Sequence, residues 1–351
     1  MRVLVTGGAG FVGSNLAVSF AKGNEVVVMD NLKRRGSELN IPRLREAGVA
    51  FIHGDIRNKE DFGGFGKVDA IIECSAEPSV LAGLNSSAEY LINTNLLGTV
   101  NCLEFARKNN SKFIFLSSSR VYPVGKINSA VFDERETRFE LSKSQTMDGV
   151  SHNGFTESLS LDGPRTLYGA AKLSSELIIS EYVDMFGLQA VIDRCGLIAG
   201  PWQMGKADQG VVALWVAKHH YKKQLSYIGY GGSGKQVRDI LHISDLYRLI
   251  DIQFKHMEKY NGSVYNVGGG SANSASLAEL TKLSEKHTGQ KIPISRVSEE
   301  RTGDIRIYVT DNSKVSKETG WSPKIGVEET IRDIAEWIKD NSVSLKTVLG
   351  D

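Results

Sequence analysis

Only three cysteines, Cys74, Cys102 and Cys195, and seven prolines occur in the 351 residues. An odd cysteine count at wide spacing excludes a disulfide framework, and no Cys-x-x-Cys or His-x-x-x-His spacing offers a metal site. Three reduced, buried thiols and no metal are expected. No run of 18 apolar residues is present, so no membrane-spanning helix is expected. Excess charge of one sign is missing too: 42 Lys and Arg against 41 Asp and Glu leave +1. That balance predicts no nucleic-acid partner and no membrane partner. Residues 1–5 read as a strand rather than a leader, which with the thiols predicts a cytoplasmic location. The chain is rich in glycine instead, with 36 residues partly clustered at 7–13, 229–234 and 268–270. Such clusters mark sharp turns or close approach of backbone to a ligand.

The first 120 residues alternate between β-rich and helical patterns. Strands are expected at 2–5, 25–29, 50–53, 69–73 and 112–116, with helices at 11–21 and about 87–108. Strands separated by helices imply crossovers and a parallel sheet, and their nearly continuous apolar runs imply cover on both faces. From 123 to 166 the pattern weakens into a polar stretch too long for a plain connection, read as a functional loop or small lobe. A helix near 167–186 and a strand at 188–193 resume the order. Beyond 201 the spacing predicts helices at 210–222, 244–258, 276–288, 312–319 and 327–341. The expected division is a dinucleotide-binding domain, 1–195, carrying the 123–166 loop. A smaller, discontinuous lobe spans 196–351, and some of its segments return to the first domain.

After the first strand comes Thr6-Gly7-Gly8-Ala9-Gly10-Phe11-Val12-Gly13. Gly7 permits the tight turn, Gly10 lets a pyrophosphate approach, and Gly13 lets helix pack on strand. The helix start then aims free N–H groups at the phosphates. The second strand ends in Met29-Asp30-Asn31, where Asp30 can accept from both ribose hydroxyls and would repel a 2′-phosphate, favouring NAD over NADP. The basic residues Lys33, Arg34 and Arg35 pull the other way. Asp55 in Gly54-Asp55-Ile56-Arg57 is placed either to reach the adenine edge or to cap the next helix.

Leu116-Ser117-Ser118-Ser119-Arg120-Val121-Tyr122 closes a later strand, and Tyr168-Gly169-Ala170-Ala171-Lys172 opens a helix. Tyr168 and Lys172 share one helix face at i, i+4. An ammonium beside a phenol favours the phenolate, a competent base for a sugar or alcohol hydroxyl. A serine at the strand end can hold the same oxygen, so hydride transfer to a nicotinamide becomes feasible.

At these residues the chain resembles the extended short-chain dehydrogenase/reductases, the family of nucleotide-sugar epimerases and dehydratases. The resemblance extends through Gly54-Asp55-Ile56, Asn95-Leu96-Leu97-Gly98-Thr99, Arg238-Asp239 with His242, and Asn266-Val267-Gly268-Gly269. It implies a Rossmann-type, doubly wound parallel α/β sheet with a smaller mixed α/β substrate lobe. It also implies NAD as cofactor, a CDP- or UDP-hexose as substrate, and a homodimer or higher homo-oligomer. Counting back four from Tyr122 gives Ser118 as the catalytic serine, beside Tyr168 and Lys172. The implied cofactor contacts are Gly7, Gly10, Phe11, Val12, Asp30, Asn31, Asp55, Ile56, Ser75, Asn95, Tyr168 and Lys172. The implied substrate contacts are Ser118, Ser119, Gln209, Gln236, Arg238 and Arg301, the two arginines gripping phosphate oxygens in pairs.

Family dehydratases carry an Asp-Glu pair after the catalytic serine; here Ser119-Arg120 stands instead, which disfavours dehydration. The stretch between Tyr122 and Tyr168 is longer than in typical 4-epimerases. Asp208-Gln209-Gly210, Gly232-Ser233-Gly234-Lys235-Gln236-Val237-Arg238-Asp239 and Asp133-Glu134-Arg135-Glu136-Thr137-Arg138 resemble the branch that inverts C2 of a CDP-hexose. That activity is the expectation. The alternatives are C4 inversion of a UDP-hexose and a non-catalytic dinucleotide-binding protein. Among departures from the family, Glu73 replaces the usual histidine and is expected to point partly away from the ligand; Pro123 replaces a glycine; and Glu77-Pro78-Ser79 falls where a sugar would lie.

Overall fold

Short apolar segments such as Val3-Leu4-Val5 and Val26-Val27-Val28 are wholly buried, as strands covered on both faces must be. The computed structural model describes residues 1–205 and 209–350. It contains a seven-stranded sheet in the order Val264–Val267, Ala190–Cys195, Lys112–Ser118, Ala70–Glu73, Arg2–Thr6, Glu25–Asp30, Ala50–His53. Neighbouring strands from Lys112–Ser118 to Ala50–His53 run parallel. The order reverses direction between Arg2–Thr6 and Ala70–Glu73, and that switch point opens a crevice at the strands' C-terminal ends. One face carries a core of Leu4, Ile71, Phe113, Phe115, Leu103 and Ile179.

Two compact units result. One comprises Met1–Val121, Leu167–Arg194 and Tyr247–Tyr265; the other comprises Tyr122–Thr166, Cys195–Leu246 and Asn266–Asp351. The 123–166 stretch therefore groups with the second unit, and part of the later chain groups with the first.

Helices form at Phe11–Phe20 and Leu167–Phe186, close to expectation. The helix expected over 87–108 is broken into Glu89–Ile92, a π-helical turn at Asn93–Leu97, and Gly98–Asn109. Periodicity alone cannot register such a bulge, because it inserts only one extra residue per turn. The 123–166 stretch, read as irregular, contains a helix at Val124–Asn128. It also holds two small hairpins, Phe132–Glu134 with Phe139–Leu141 and Val150–Ser151 with Gly154–Phe155.

In the second unit, Val237–His242 is the hub of a four-stranded sheet, pairing with Leu197–Ala199, Ser274–Ser276 and Ile307–Tyr308. Helices Val211–His220, Leu277–Thr288 and Val327–Asp340 pack against one another. The middle one starts at a capping box: Ser276 Oγ accepts from Glu279 N–H at 3.1 Å, and Glu279 Oε2 accepts from Ser276 N–H at 2.9 Å. A helix at Ser342–Leu349, which the sequence pattern did not announce, ends the described chain. Among the described residues no helix is long and apolar enough to cross a membrane.

Candidate active site

The glycine loop follows the strand Arg2–Thr6 at the switch point. Gly7 has φ +62, and a Cβ there would lie 2.9 Å from Cys74 O and from Ser75 N and Cα, so the turn is pressed against the end of the neighbouring strand. A Cβ at Gly13 would meet Gly7 O at 2.3 Å. The helix Phe11–Phe20 begins at Gly10 with no side chain capping it, which leaves the N–H groups of its first turn, from Phe11 and Val12 onward, without intrahelical partners. A tight, side-chain-free cradle ending in uncapped N–H donors fits a dinucleotide pyrophosphate.

Asp30, at the end of the second strand, fixes that loop. Its Oδ2 accepts from Ala9 N–H at 3.0 Å and its Oδ1 from Leu32 N–H at 2.8 Å. Burial pushes its carboxyl above the usual range, while the N–H donors of Leu32, Ala9 and Gly10 pull it back. From the other side, buried Asn40 donates its Nδ2 to Ala9 O at 2.9 Å. The sequence reading missed Asn40, since no motif spacing marks it. Asn31 Nδ2 donates to Asp55 Oδ2 at 2.8 Å, so these two predicted residues do meet. Asp55 also takes both Arg57 Nε at 3.0 Å and Nη2 at 2.7 Å. Burial alone would raise this carboxyl, but the donors from Arg57 and Asn31 bring it down to about 2. Ile56 is buried against Gly98, where a Cβ would lie 2.5 Å from its Cδ1. The basic turn is partly spent: Lys33 Nζ lies over the Tyr90 ring, 3.3 Å from its centroid.

Asn95 lies within the π-helical turn. Its Oδ1 accepts from Glu77 N–H at 2.7 Å and its Nδ2 donates to Glu77 O at 3.0 Å. The side chain thereby pins the loop that begins at Ser75. The backbone carbonyl of Asn95 accepts from Ser175 Oγ at 2.8 Å.

The three consecutive serines separate by strand alternation. Ser117 points inward and donates to buried Glu176 Oε1. Ser118 lies at the strand end, its Oγ accepting from Arg120 N–H at 3.1 Å, which leaves the hydroxyl proton to donate elsewhere. Half-buried Ser119 starts the following turn. On the helix Leu167–Phe186, Tyr168 is half-buried, whereas Lys172 is only 2% exposed. Lys172 Nζ donates to Leu116 O at 3.0 Å and lies 4.3 Å from the Phe115 ring centroid. One turn further, Glu176 is gripped by Arg194, with Nε at 3.1 and 3.0 Å and Nη2 at 2.7 Å. Glu176 and Arg194 were both missed in the sequence reading; Glu176 ties the helix bearing Tyr168 and Lys172 to the strand bearing Ser118 through Ser117, and to the strand Ala190–Cys195 through Arg194. The i+8 position of Glu176 was the available signal.

Within the second unit, Arg238 and Arg301 converge on Asp304. Arg238 Nη2 stands 3.9 Å from Oδ1 and Arg301 Nε 3.9 Å from Oδ2. Arg238 also donates to Val237 O at 2.7 Å and Ile305 O at 2.6 Å. Arg301 is exposed. Asp304 was not among the predicted residues. Gln236 Nε2 donates to Ile228 O at 2.9 Å, and its buried Oε1 has no hydrogen-bond partner; the same holds for Gln209 Oε1. Asp208 lies outside the described residues. No metal-binding cluster occurs among the described residues.

Two of the strings noted above meet in this unit. Phe139 N–H donates to Lys235 O at 2.9 Å, and Lys235 Nζ reaches Glu134 at 2.8 Å. The turn between them docks through Thr137 Oγ on Glu279, at 2.8 Å, and Arg138 on Ser274, at 2.6 Å.

Comparison with known proteins agrees with this architecture. Residues 3–268 match the NAD dependent epimerase/dehydratase family. The chain is 33% identical to a CDP-paratose 2-epimerase of Salmonella typhi, over 96% of this chain and 99% of that protein. It resembles the crystal structure of a UDP-glucuronic acid 4-epimerase from Bacillus cereus in complex with UDP-glucuronic acid and NAD. There the TM-score is 0.79 and the identity 25%, over 97% and 99% of the two chains. A dTDP-glucose 4,6-dehydratase from Streptomyces venezuelae with NAD bound gives a TM-score of 0.80 at 26% identity, over 99% and 100%. The glycine cradle, the Tyr168–Lys172 helix and a match covering most of the chain agree: the protein is an enzyme of the NAD-dependent nucleotide-sugar epimerase/dehydratase family, with NAD as its cofactor.

Proposed function

We propose that the protein inverts C2 of a CDP-hexose of the paratose/tyvelose type through a transient keto sugar. The observation that carries this choice is the docking of the Asp133-to-Arg138 turn on Lys235, three residues before Arg238. These are the strings that resemble the C2-inverting branch, and the full-length similarity to a CDP-paratose 2-epimerase supports the same reading.

When bound along the loop of Gly7, Gly10, Phe11 and Val12 and beside Asp30, NAD supplies a hydride acceptor that can also return the hydride. The residues of the chain handle the proton. Tyr168, on the same helix as Lys172 and one turn before it, takes the proton of the sugar hydroxyl. Ser118 donates its free hydroxyl proton to the same oxygen as a hydrogen bond and steadies the forming carbonyl. On the return step Tyr168 gives the proton back, so the chain ends as it began. Arg238 and Arg301 hold the diphosphate while the keto sugar turns over. Gln209, Gln236 and Ser119 contact the nucleotide and sugar. The exposed Leu177 and Met185 on the catalytic helix and Leu97 at the end of the π turn support self-association as a homodimer, which sedimentation equilibrium tests.

The decisive experiment is an NMR time course of protein, NAD and a panel of CDP- and UDP-hexoses in heavy water. Inversion at C2 of a CDP-hexose, with protium retained at C2, is expected. Inversion at C4 of a UDP-hexose, the activity of the structurally similar 4-epimerase, would replace the C2 reading.

A further inference from the structure

One carboxyl on the catalytic face of the first unit takes no part in the steps above. Glu73 ends the strand Ala70–Glu73, in register with Thr6 on one side and Phe115 on the other. Its side chain is entirely out of solvent. Oε2 accepts from Thr99 Oγ at 3.1 Å, whereas Oε1 has no hydrogen-bond partner. A buried carboxyl with an unpaired oxygen is costly and calls for an explanation. The ammonium of Lys172 stands over the ring of Phe115, the register partner of Glu73, and its charge pulls on the carboxyl. A run of close polar contacts leads from the same carboxyl to the helix that carries Lys172, the one Thr99 hydroxyl proton going either to Glu73 or to Asn95 O. Thr99 Oγ lies 3.2 Å from Asn95 O, the carbonyl that Ser175 Oγ reaches from the catalytic helix one turn beyond Lys172. Strand end, π turn and catalytic helix are thus locked around one acid.

We propose that Glu73 is a positioning residue for the base, sharing the Lys172 ammonium with Tyr168 so that its charge state decides how much of that ammonium the phenol feels. The inference rests on the reading of Tyr168 and Lys172 given above. The titratable groups around the carboxyl are Lys172, Cys74 on its own strand end and Cys102 on the helix Gly98–Asn109. Burial first, and Glu73 second, push both thiols above their usual range, so neither competes in the working pH range. On the catalytic helix the next acid, Glu176, is already committed to Arg194. Burial also pushes the Glu73 carboxyl up, against the pull of Lys172 and Thr99. While protonated, it leaves the whole ammonium to the phenol. Once ionised, it takes a share, and the phenol holds its proton more tightly.

The test is a pH titration of the NAD-loaded protein carrying 13Cζ-labelled tyrosine, with the Tyr168 resonance assigned by its loss in Tyr168→Phe. Glu73→Gln keeps shape and removes the charge. The Tyr168 titration midpoint is expected to fall by at least about 0.5 pH unit, and the ascending limb of kcat/KM is expected to follow it. An unmoved midpoint in a folded, active variant overturns the proposal and leaves the base assignment standing. If Glu73→Gln does not fold, Thr99→Val takes its place: it keeps the carboxyl but removes the hydrogen bond that favours the charged form. A smaller downward shift is expected there, and no shift overturns the proposal. Near-normal turnover by Tyr168→Phe is a different failure, since it removes the base assignment itself.

Discussion

The two units build their candidate groups in different ways. In the first, Tyr168, Lys172 and Glu176 rise from one helix at four-residue intervals, and Ser118 stands at the C-terminal end of an interior strand of the central sheet. In the second, Arg238 comes from a strand and Arg301 from a connection, and the two meet only because Asp304 lies between them. Chemistry placed on regular, buried elements is held by packing and paired charges. Recognition placed on turns and strand ends is held by individual hydrogen bonds. Changes in the first unit should therefore act on kcat or on stability, and changes in the second on KM.

Several substitutions sharpen or break that contrast. Tyr168→Phe should lower kcat by roughly 10²- to 10⁴-fold without loss of bound NAD, as measured by turnover and by cofactor content after gel filtration. Glu176→Ala removes the carboxylate that buried Arg194 grips, so the protein should lose about 3–5 kcal/mol of stability in denaturant unfolding. A loss below about 1 kcal/mol would mean that the pair does not tie helix to strand. On the proposed role of Arg238 as a phosphate anchor, Arg238→Ala should raise KM for the nucleotide sugar by roughly 10- to 100-fold while kcat changes little. If kcat fell instead, the contrast between units would fail at that residue.

Asp193 gives a pH signature confined to the first unit. It is fully buried, with Gln253 Nε2 on Oδ1 at 2.8 Å and no partner on Oδ2, and burial pushes its carboxyl up to about 7. A raised folded value means that the native state binds the extra proton. The stabilisation is complete below the unfolded value near 4 and is lost as pH rises to about 7. Asp193→Asn should flatten thermal stability across that window; an unchanged slope would remove Asp193 as its source. The smallest effect is expected at the exposed pair of Lys235 and Glu134, where Lys235→Ala should cost less than about 1 kcal/mol of stability. A rise in KM there would mark the docked turn as part of substrate recognition.

The sheet was legible because continuous apolar runs, glycine turns and helical periodicity agree at each step from Arg2 to Ser118. The placement of Tyr168 and Lys172 on one helix was legible because i, i+4 spacing needs no tertiary information. Other features resisted for physical reasons. The π turn at Asn93–Leu97 shifts the helix by a single residue, below the resolution of a periodic pattern. The stretch 123–166 reads as polar because its hairpins are two or three residues per strand and pack only a few aromatics, Phe132 and Phe139 among them. Asn40 carries no local signal, since it holds Ala9 from 31 residues away, and Asp304 shows only its short-range partner Arg301 in sequence, not Arg238.

By itself the sequence determined the parallel α/β sheet, the glycine cradle and the pairing of Tyr168 with Lys172. Each follows from residue spacing along a strand, a turn or a helix. Only the tertiary structure decided which serine turns toward Glu176 and that Glu73 is wholly buried with one oxygen unpaired. It also decided that Arg238 and Arg301 share one carboxylate. Those outcomes depend on burial, desolvation and contacts between segments far apart in the chain, which no local pattern encodes.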